Sequence, residues 1–118
     1  MSVETNISIL KKGNAAIAEG NNEGLLKFCT EDTEWIFVGE KTLKGKDAVR
    51  QYMLETYVEP PIFTVSQLIA DGNFVIALGE ITLKNNENCL IKYSYCDVWH
   101  FRNNMIDKLK AFVIKTND

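Results

Sequence analysis

The segment that decides the fold is Leu90-Ile91-Lys92-Tyr93-Ser94-Tyr95-Cys96-Asp97-Val98-Trp99-His100-Phe101. Its aromatic and β-branched residues alternate with period two, which predicts a strand long enough to cross a small domain. One face of that strand carries Ile91, Tyr93, Tyr95, Asp97, Trp99 and Phe101. Asp97 is the single carboxylate on this aromatic face. Because an unpartnered charge in a core is costly, we expect Asp97 to be paired, protonated or facing a cavity.

The whole chain has the composition of one soluble globular domain. It has 118 residues, of which 46% are hydrophobic and 25% charged, and a chain of this size folds without needing a metal or a disulfide. The net charge is −3 and the basic residues are scattered, so neither nucleic acid nor a membrane surface is expected as a partner. No apolar run approaches the ~20 residues that span a bilayer, and no signal pattern is present. We therefore expect a cytoplasmic protein.

The residues that usually bind metals show no pattern of ligand spacing. The chain has three cysteines, Cys29, Cys89 and Cys96. Because their number is odd, we expect them to be reduced, packed thiols. His100 is the only histidine, and the alternation places it opposite Asp97, at the outer surface or a dimer interface. We expect no metal site and no cofactor.

Three helices and four further strands are predicted around the organising strand. The helices cover 2 to about 19, a short stretch from about residue 22, and 46–55. The strands cover 33–38, 62–70, 74–83 and 105 to about 114, with polar turns at 39–45, 71–73, 85–88 and 103–104. This order predicts a single domain, residues 1–118, of class α+β, in which a cone-shaped, curved antiparallel or mixed sheet wraps over three helices from the N-terminal half.

The last predicted strand has apolar residues on both faces. The two sets are Leu109, Ala111 and Val113, and Ile106, Phe112 and Ile114. This is expected if one side covers a core while the other packs against a second subunit. The pattern therefore predicts a homodimer formed through the outer face of the sheet.

Three local patterns accompany this order of elements. They are Glu31-Asp32 before the strand at 33–38, the run Leu43-Lys44-Gly45-Lys46-Asp47-Ala48-Val49 before the third helix, and Asp97-Val98-Trp99-His100-Phe101 before a tight hairpin and Ile106. Together they resemble the nuclear transport factor 2-like superfamily, in particular its SnoaL-like polyketide cyclases and ketosteroid isomerases, over essentially the whole chain. The resemblance implies a cone with a pocket between the helices and the concave sheet, and dimers formed through the outer sheet face. The fold supports unrelated chemistries, so it does not by itself decide function.

The resemblance also implies roles for individual residues. Asp97 falls where ketosteroid isomerases carry the aspartic acid that donates a hydrogen bond to an enolate oxygen, which requires a carboxyl group kept neutral by apolar surroundings. The isomerase tyrosine and general base fall at about Gly13 and Phe37, so both are missing and true ketosteroid isomerase activity is disfavoured. The Asp, Arg, Asp relay of limonene epoxide hydrolases cannot be assembled from Arg50 and Arg102. SnoaL-like cyclases are thought to rely on one acidic pocket residue, a role that Asp97 could fill alone.

The leading hypothesis is a small-molecule pocket protein that works as an isomerase or cyclase-like lyase, with Asp97 transferring a proton on an apolar or aromatic substrate. The expected pocket residues, of which Tyr52 or Tyr95 would orient the ligand, are Trp35, Phe37, Tyr52, Tyr57, Phe63, Tyr93, Tyr95 and Trp99. Aromatic residues at such spacings also fill ordinary cores, and a neighbouring donor could satisfy Asp97.

Two other functions fit the same residues. The alternative is a non-catalytic ligand-binding or dimerisation module of the same fold, and a third candidate is a protein-interaction domain with a filled core and an exposed apolar patch. The ligand is not identified. Glu34, Glu55, Glu80 and Asp107 are all available as the missing base, since a one-residue register error would reverse the face of each.

Overall fold

The structure is a computed structural model that describes residues 3–116. It contains the helices α1 (Val3–Ala18), α2 (Glu23–Leu26) and α3 (Lys46–Thr56). Its strands are β1 (Cys29–Phe37), β2 (Lys41–Lys44), β3 (Ile62–Asp71), β4 (Phe74–Lys84), β5 (Leu90–Arg102) and β6 (Met105–Lys115). None of the helices in the described range is long and apolar enough to cross a membrane.

The strands form one mixed, curved sheet in the order β2-β1-β6-β5-β4-β3. Only β1 and β6 are parallel, and the other neighbouring pairs are antiparallel. α1 packs on α2, β3 and β4, while α3 packs on β1, β2 and α2. The predicted α+β class, with a mixed sheet over three helices, is confirmed.

The core lies between the helices and the inner face of the sheet. β5 supplies Trp99 and Phe101, which are almost completely buried. Leu10 of α1 and Val49 and Met53 of α3 belong to the same buried cluster on the helical side. The alternation that was read from the sequence of β5 therefore places its aromatic face inward, and Asp97 lies on that same face.

The edge strand β2 lies inside the segment 39–45 that was predicted to be a turn. Its pairing with β1 joins Trp35 to Leu43, but its side chains are mostly exposed, so it lacks the apolar alternation of a half-buried strand. β1 also begins at Cys29 and not at Thr33, because Cys29 already pairs with Ile106 before the register shifts.

Ile106 lies on the inner face, which corrects the prediction that it shares the outer face with Phe112 and Ile114. A register shift between β5 and β6 pairs His100 with Lys108 but Phe101 with Ile106, so Asp107 is an extra residue in β6. A bulge of this kind reverses the face of every residue that precedes it. Ile106 is consequently fully buried.

Candidate functional site

A cavity of about 110 Å³ lies between the helices and the inner face of the sheet, and we call it the main cavity. At one end its walls are the buried side chains of Leu25, Trp35 and Trp99, and at the other end they include the partly exposed Leu83 and Val113. Its mouth is therefore at the end formed by Leu83 and Val113.

Most of the residues predicted to line a pocket meet in this cavity. Those that line it are Trp35, Phe37, Tyr52, Tyr57, Phe63, Tyr95 and Trp99, together with Asp97. The Trp35 and Trp99 rings are perpendicular, with centroids 5.6 Å apart, and the Phe37 and Tyr52 ring centroids are 4.9 Å apart. These contacts fix the aromatic walls around the single acid.

Asp97 is positioned by the small residues beside it on the sheet. It pairs with Ala77 of β4 and Ala111 of β6, whose methyl groups leave the space in front of its carboxyl group open. No hydrogen-bond donor or cation among residues 3–116 contacts that carboxyl group. Burial raises the pKa of Asp97 to about 7, because the apolar surroundings penalise the charged form.

Three tyrosines share the cavity with Asp97 and act as neutral hydrogen-bond donors. Burial raises the pKa of Tyr52 and of Tyr95 to about 12, and it also raises the pKa of Tyr57, with the charge of Asp97 acting in the same direction. The Tyr95 hydroxyl donates to the Thr64 carbonyl oxygen at 3.3 Å. The Tyr57 hydroxyl makes no hydrogen bond within the described range, so it is free to donate to a ligand.

Gly79 makes the position of Tyr95 possible. The two residues pair across β4 and β5, and a Cβ atom on Gly79 would lie 2.6 Å from the Tyr95 hydroxyl oxygen and would overlap the Thr64 carbonyl oxygen. The absence of a side chain at residue 79 therefore lets the Tyr95 ring cross β4 and reach β3.

Tyr93 does not line the main cavity, which corrects one predicted pocket residue. It lies on the same face of β5 but four residues before Asp97, which is ~13 Å along a strand. There it lines a second cavity, of about 210 Å³, which shares Leu83 with the main cavity.

The sequence analysis missed several lining residues because it selected aromatic side chains, and these residues are small, aliphatic or polar. They are Asn14, Ile17, Leu25, Pro61, Ile81 and Leu83, together with Leu109, Ala111 and Val113 of β6. Asn14 supplies the cavity's only side-chain amide within the described part of the chain. Its spacing of four residues from the buried Leu10 was the signal that could have identified it.

None of the four carboxylates considered as a second base lines the main cavity. Glu80 is exposed on the strand next to Ser94, and Glu34 pairs with Lys108, outside the cavity. The Asp107 Oδ1 atom lies 2.6 Å from His100 Nδ1, on the face opposite Asp97. Glu55 lines the second cavity. Asp97 is thus the only carboxylate of the main cavity within residues 3–116.

The residues at the positions of the isomerase tyrosine and general base cannot replace those groups. Gly13 packs directly on Leu25, and a Cβ atom there would overlap the Leu25 side chain. Phe37 faces the cavity as a hydrocarbon ring. Both arginines form ion pairs outside the cavity, Arg50 with Glu23 at 2.6 Å and Arg102 with Asp32 at 2.8 Å.

The cysteines are free thiols, but they are not all packed as predicted. Cys29 is buried, and burial raises the pKa of its thiol to about 12. Cys89 is exposed in the turn before β5, which corrects the prediction for that residue. Across residues 3–116 no group of three or more His, Cys, Asp or Glu side chains could hold a metal ion.

The model of the SnoaL-like domain family matches residues 11–108. The chain belongs to the SnoaL-like domain family. No match to this SnoaL-like chain was found among curated proteins.

Solved structures share the fold of this SnoaL-like domain at low sequence identity. The epoxide hydrolase/cyclase-like enzyme SalBIII, with a role in pyran ring formation in the polyether salinomycin, aligns with a TM-score of 0.85 and 20% identity over 93% of this chain and 91% of its own. TerC, co-crystallised with polyporic acid, aligns with a TM-score of 0.78 and 14% identity over 92% of this chain and 90% of its own. An NTF2-like protein of unknown function from Cytophaga hutchinsonii aligns with a TM-score of 0.74 and 23% identity over 95% and 98%. These likenesses confirm the predicted nuclear transport factor 2-like fold.

Proposed function

We propose that this protein binds a small apolar or aromatic molecule in the main cavity and that Asp97 transfers a proton on it, as an isomerase or cyclase-like lyase. The observation that carries the proposal is the carboxyl group of Asp97, which faces an apolar cavity without a partner in the described range and whose pKa burial raises to about 7. A group with that pKa takes up and releases protons most effectively near neutral pH. SalBIII and TerC, which share the fold, are linked to cyclase-like chemistry and to a small molecule.

In the proposed reaction Asp97 acts first as the base and then as the acid. As a carboxylate, Asp97 removes a proton from a carbon atom next to a carbonyl group, and the electron pair moves to the carbonyl oxygen. The Tyr57 hydroxyl donates a hydrogen bond to that oxygen. Asp97 then returns the same proton to a different carbon atom, so no second base and no cofactor is required.

The size of the main cavity limits the part of the ligand that it holds. A cavity of roughly 150 Å³ is known to hold benzene, and the main cavity measures about 110 Å³. Because the main cavity is the smaller of the two, we propose that it holds at most one ring or a short branched chain beside Asp97, and that the ligand extends through the mouth at Leu83 and Val113. A fused polycyclic ligand would require the walls to move.

The test is the isomerisation of 3-cyclohexen-1-one to 2-cyclohexen-1-one, followed by the ultraviolet absorbance of the conjugated product. We expect Asp97→Asn to lower the rate constant by ~100-fold or more, as loss of a general base does, while the affinity for the ketone changes only a few-fold. In the wild-type protein the rate should rise with pH through about 7, because the carboxylate is the active form.

The control variant is Asp71→Asn, which removes an exposed carboxylate at the end of β3 and should leave the rate unchanged. A wild-type rate equal to that of buffer, or an Asp97→Asn variant as fast as the wild type, would contradict the enzymatic proposal.

The second candidate is a non-catalytic ligand-binding or dimerisation module of the same fold. It is favoured by the absence of a second carboxylate or histidine from the main cavity in residues 3–116. This module would bind the ketone without converting it. Asp97→Asn would then change the affinity, and neither protein would show turnover.

We further propose that two copies pair through the outer face of the sheet. That face carries an apolar patch of residues on neighbouring strands: Ile69, Ile76 and Val98 in one row, and Leu78, Cys96 and Phe112 in the next. Ile69 and Phe112 are exposed by 45% and 39%, and a contiguous exposed apolar patch often marks an interaction site. A second copy would cover the patch by two-fold symmetry.

The cytoplasmic location stays a prediction.

A further inference from the structure

The second cavity adjoins the main cavity and has a different chemical character. Leu83 lines both, and the inner face of the β4–β5 hairpin continues from Tyr95 beside Asp97 to Tyr93 and Ile91 in the second cavity. The other walls of the second cavity are the end of α3 and the polar turn after β4. Those walls carry Glu55, Thr56, Val58, Lys84, Asn85 and Asn86.

The two cavities together reach the size of an ordinary ligand site, although neither does so alone. They measure about 110 Å³ and about 210 Å³, whereas pockets for small molecules usually span ~300–1,000 Å³. The two cavities meet at Leu83, whose side chain lines both.

The charges around the second cavity determine which chemical groups of a ligand it can bind. The Lys84 ammonium group is already paired with Glu59, at 2.9 Å between Nζ and Oε2. Within residues 3–116 the Glu55 carboxylate is bonded only by the neutral amide of Gln51, at 3.0 Å, so its negative charge disfavours an anionic group. The Asn85 side-chain oxygen accepts the backbone N–H groups of the turn at 2.9 Å, which leaves its NH₂ group as a donor.

We infer that the natural ligand is elongated, with an apolar ring in the main cavity and an uncharged polar tail, such as an amide or hydroxyl group, in the second cavity. This inference rests on the proposed function of the main cavity. It adds the class of ligand and assigns the second cavity as a binding subsite for the tail.

The experiment compares a ring with and without such a tail, by NMR titration of the full chain. The ring probe is 4-methylphenol, and the tailed probe is N-(2-hydroxyethyl)-3-(4-hydroxyphenyl)propanamide. We expect the tailed probe to bind the wild-type protein about ten-fold more tightly. 4-Hexylphenol, which has an apolar tail, should gain less than the tailed probe, since it leaves the polar walls unpaired.

Ile91→Trp is the variant that separates the two cavities. Ile91 lines only the second cavity, so a bulky indole there should remove the ten-fold advantage of the tail while the affinity for 4-methylphenol stays the same. The matched control is Leu90→Trp on the other face of β5, where residue 90 is 56% exposed, and it should keep the advantage. Circular dichroism establishes that both variants fold.

Each outcome bears on one of the two proposals. If 4-methylphenol binds and the tail brings no advantage, or if Ile91→Trp keeps that advantage, the tail subsite is wrong while the proposed function stands. An apolar tail that binds as tightly as the polar one overturns the polar class of ligand. If neither ring probe nor tailed probe binds, the proposed function fails, and the subsite fails with it.

Discussion

Asp97 links the stability of the protein to its proposed chemistry. Its pKa is about 7 in the folded chain and ~3.9 in an unfolded one. Below both values the group is protonated in either state and has no effect on folding. As pH rises between them, only the unfolded chain ionises, so stability falls, and above about 7 the full loss remains.

Asp97→Asn should therefore stabilise the protein at alkaline pH and have little effect in acid. The pKa difference corresponds to at most ~4 kcal/mol. Asp97 is only partly buried by its accessible surface, so solvent screening lowers this value, and we expect a gain of roughly 1–3 kcal/mol at pH ~8 and near zero at pH ~4. Urea unfolding at both pH values measures it. Asp71→Asn is the control and should show no such pH dependence. A gain that is the same at both pH values would argue against burial of the acid.

At the residue scale, alternation in one strand was enough to find Asp97 and its aromatic neighbours. The same alternation wrongly included Tyr93, because a period-two pattern gives the face of a residue but not where a cavity ends along that face. The alternation also could not show that the Tyr57 hydroxyl has no hydrogen-bond partner among the described residues while the Tyr95 hydroxyl bonds to Thr64. The extent of the cavity and the hydrogen bonding of these hydroxyls both depend on the distances between β3, β5 and α3. The residue pattern of one strand does not give those distances.

At the scale of elements, Gly79 holds β3, β4 and β5 in the arrangement that shapes the cavity. Gly79→Ala should destabilise the fold by roughly 2–4 kcal/mol, because the added methyl group overlaps a backbone oxygen of β3 that has little room to move. Thermal and urea unfolding give the change. Near-ultraviolet circular dichroism should report a displaced Tyr95.

Gly72→Ala is the matched control for this substitution. Gly72 has a φ of 59° and open space around it, so alanine there costs only the ~1–2 kcal/mol of a left-handed residue. If the two variants are equally stable, close contact at Gly79 does not position Tyr95.

Helices and strands were predictable from the sequence wherever apolar residues recur at the spacing of one buried face. The predicted boundaries of β3 to β6 agree with the structure within one or two residues. β2 was missed because an exposed edge strand has no apolar alternation. Ile106 was assigned to the wrong face because the extra residue Asp107 in β6 leaves no signature in residue type.

At the scale of the whole molecule, the apolar patch on the outer face of the sheet should hold two copies together. Ile76→Asp places a carboxylate between Ile69 and Val98, where it would lose its hydration in a dimer. Size-exclusion chromatography with light scattering should give twice the chain mass of 13.4 kDa for the wild type and a single chain mass for the variant.

The control for dimer formation is Leu54→Asp. Leu54 is an exposed apolar residue of α3, with 63% of its surface accessible, and it lies away from the sheet. This variant should remain dimeric. A monomeric wild-type protein would contradict the proposed pairing without affecting the main cavity.

The measurement that tests the central claim most directly is the titration of the Asp97 side-chain carboxyl carbon by ¹³C NMR, with the resonance assigned by its loss in Asp97→Asn. If the carboxyl group faces the apolar cavity without a partner, its apparent pKa in the free protein is about 7. An apparent pKa near the ordinary ~3.9 of aspartic acid would mean that Asp97 is hydrated or paired, and the proton-transfer role proposed for it would have to be abandoned.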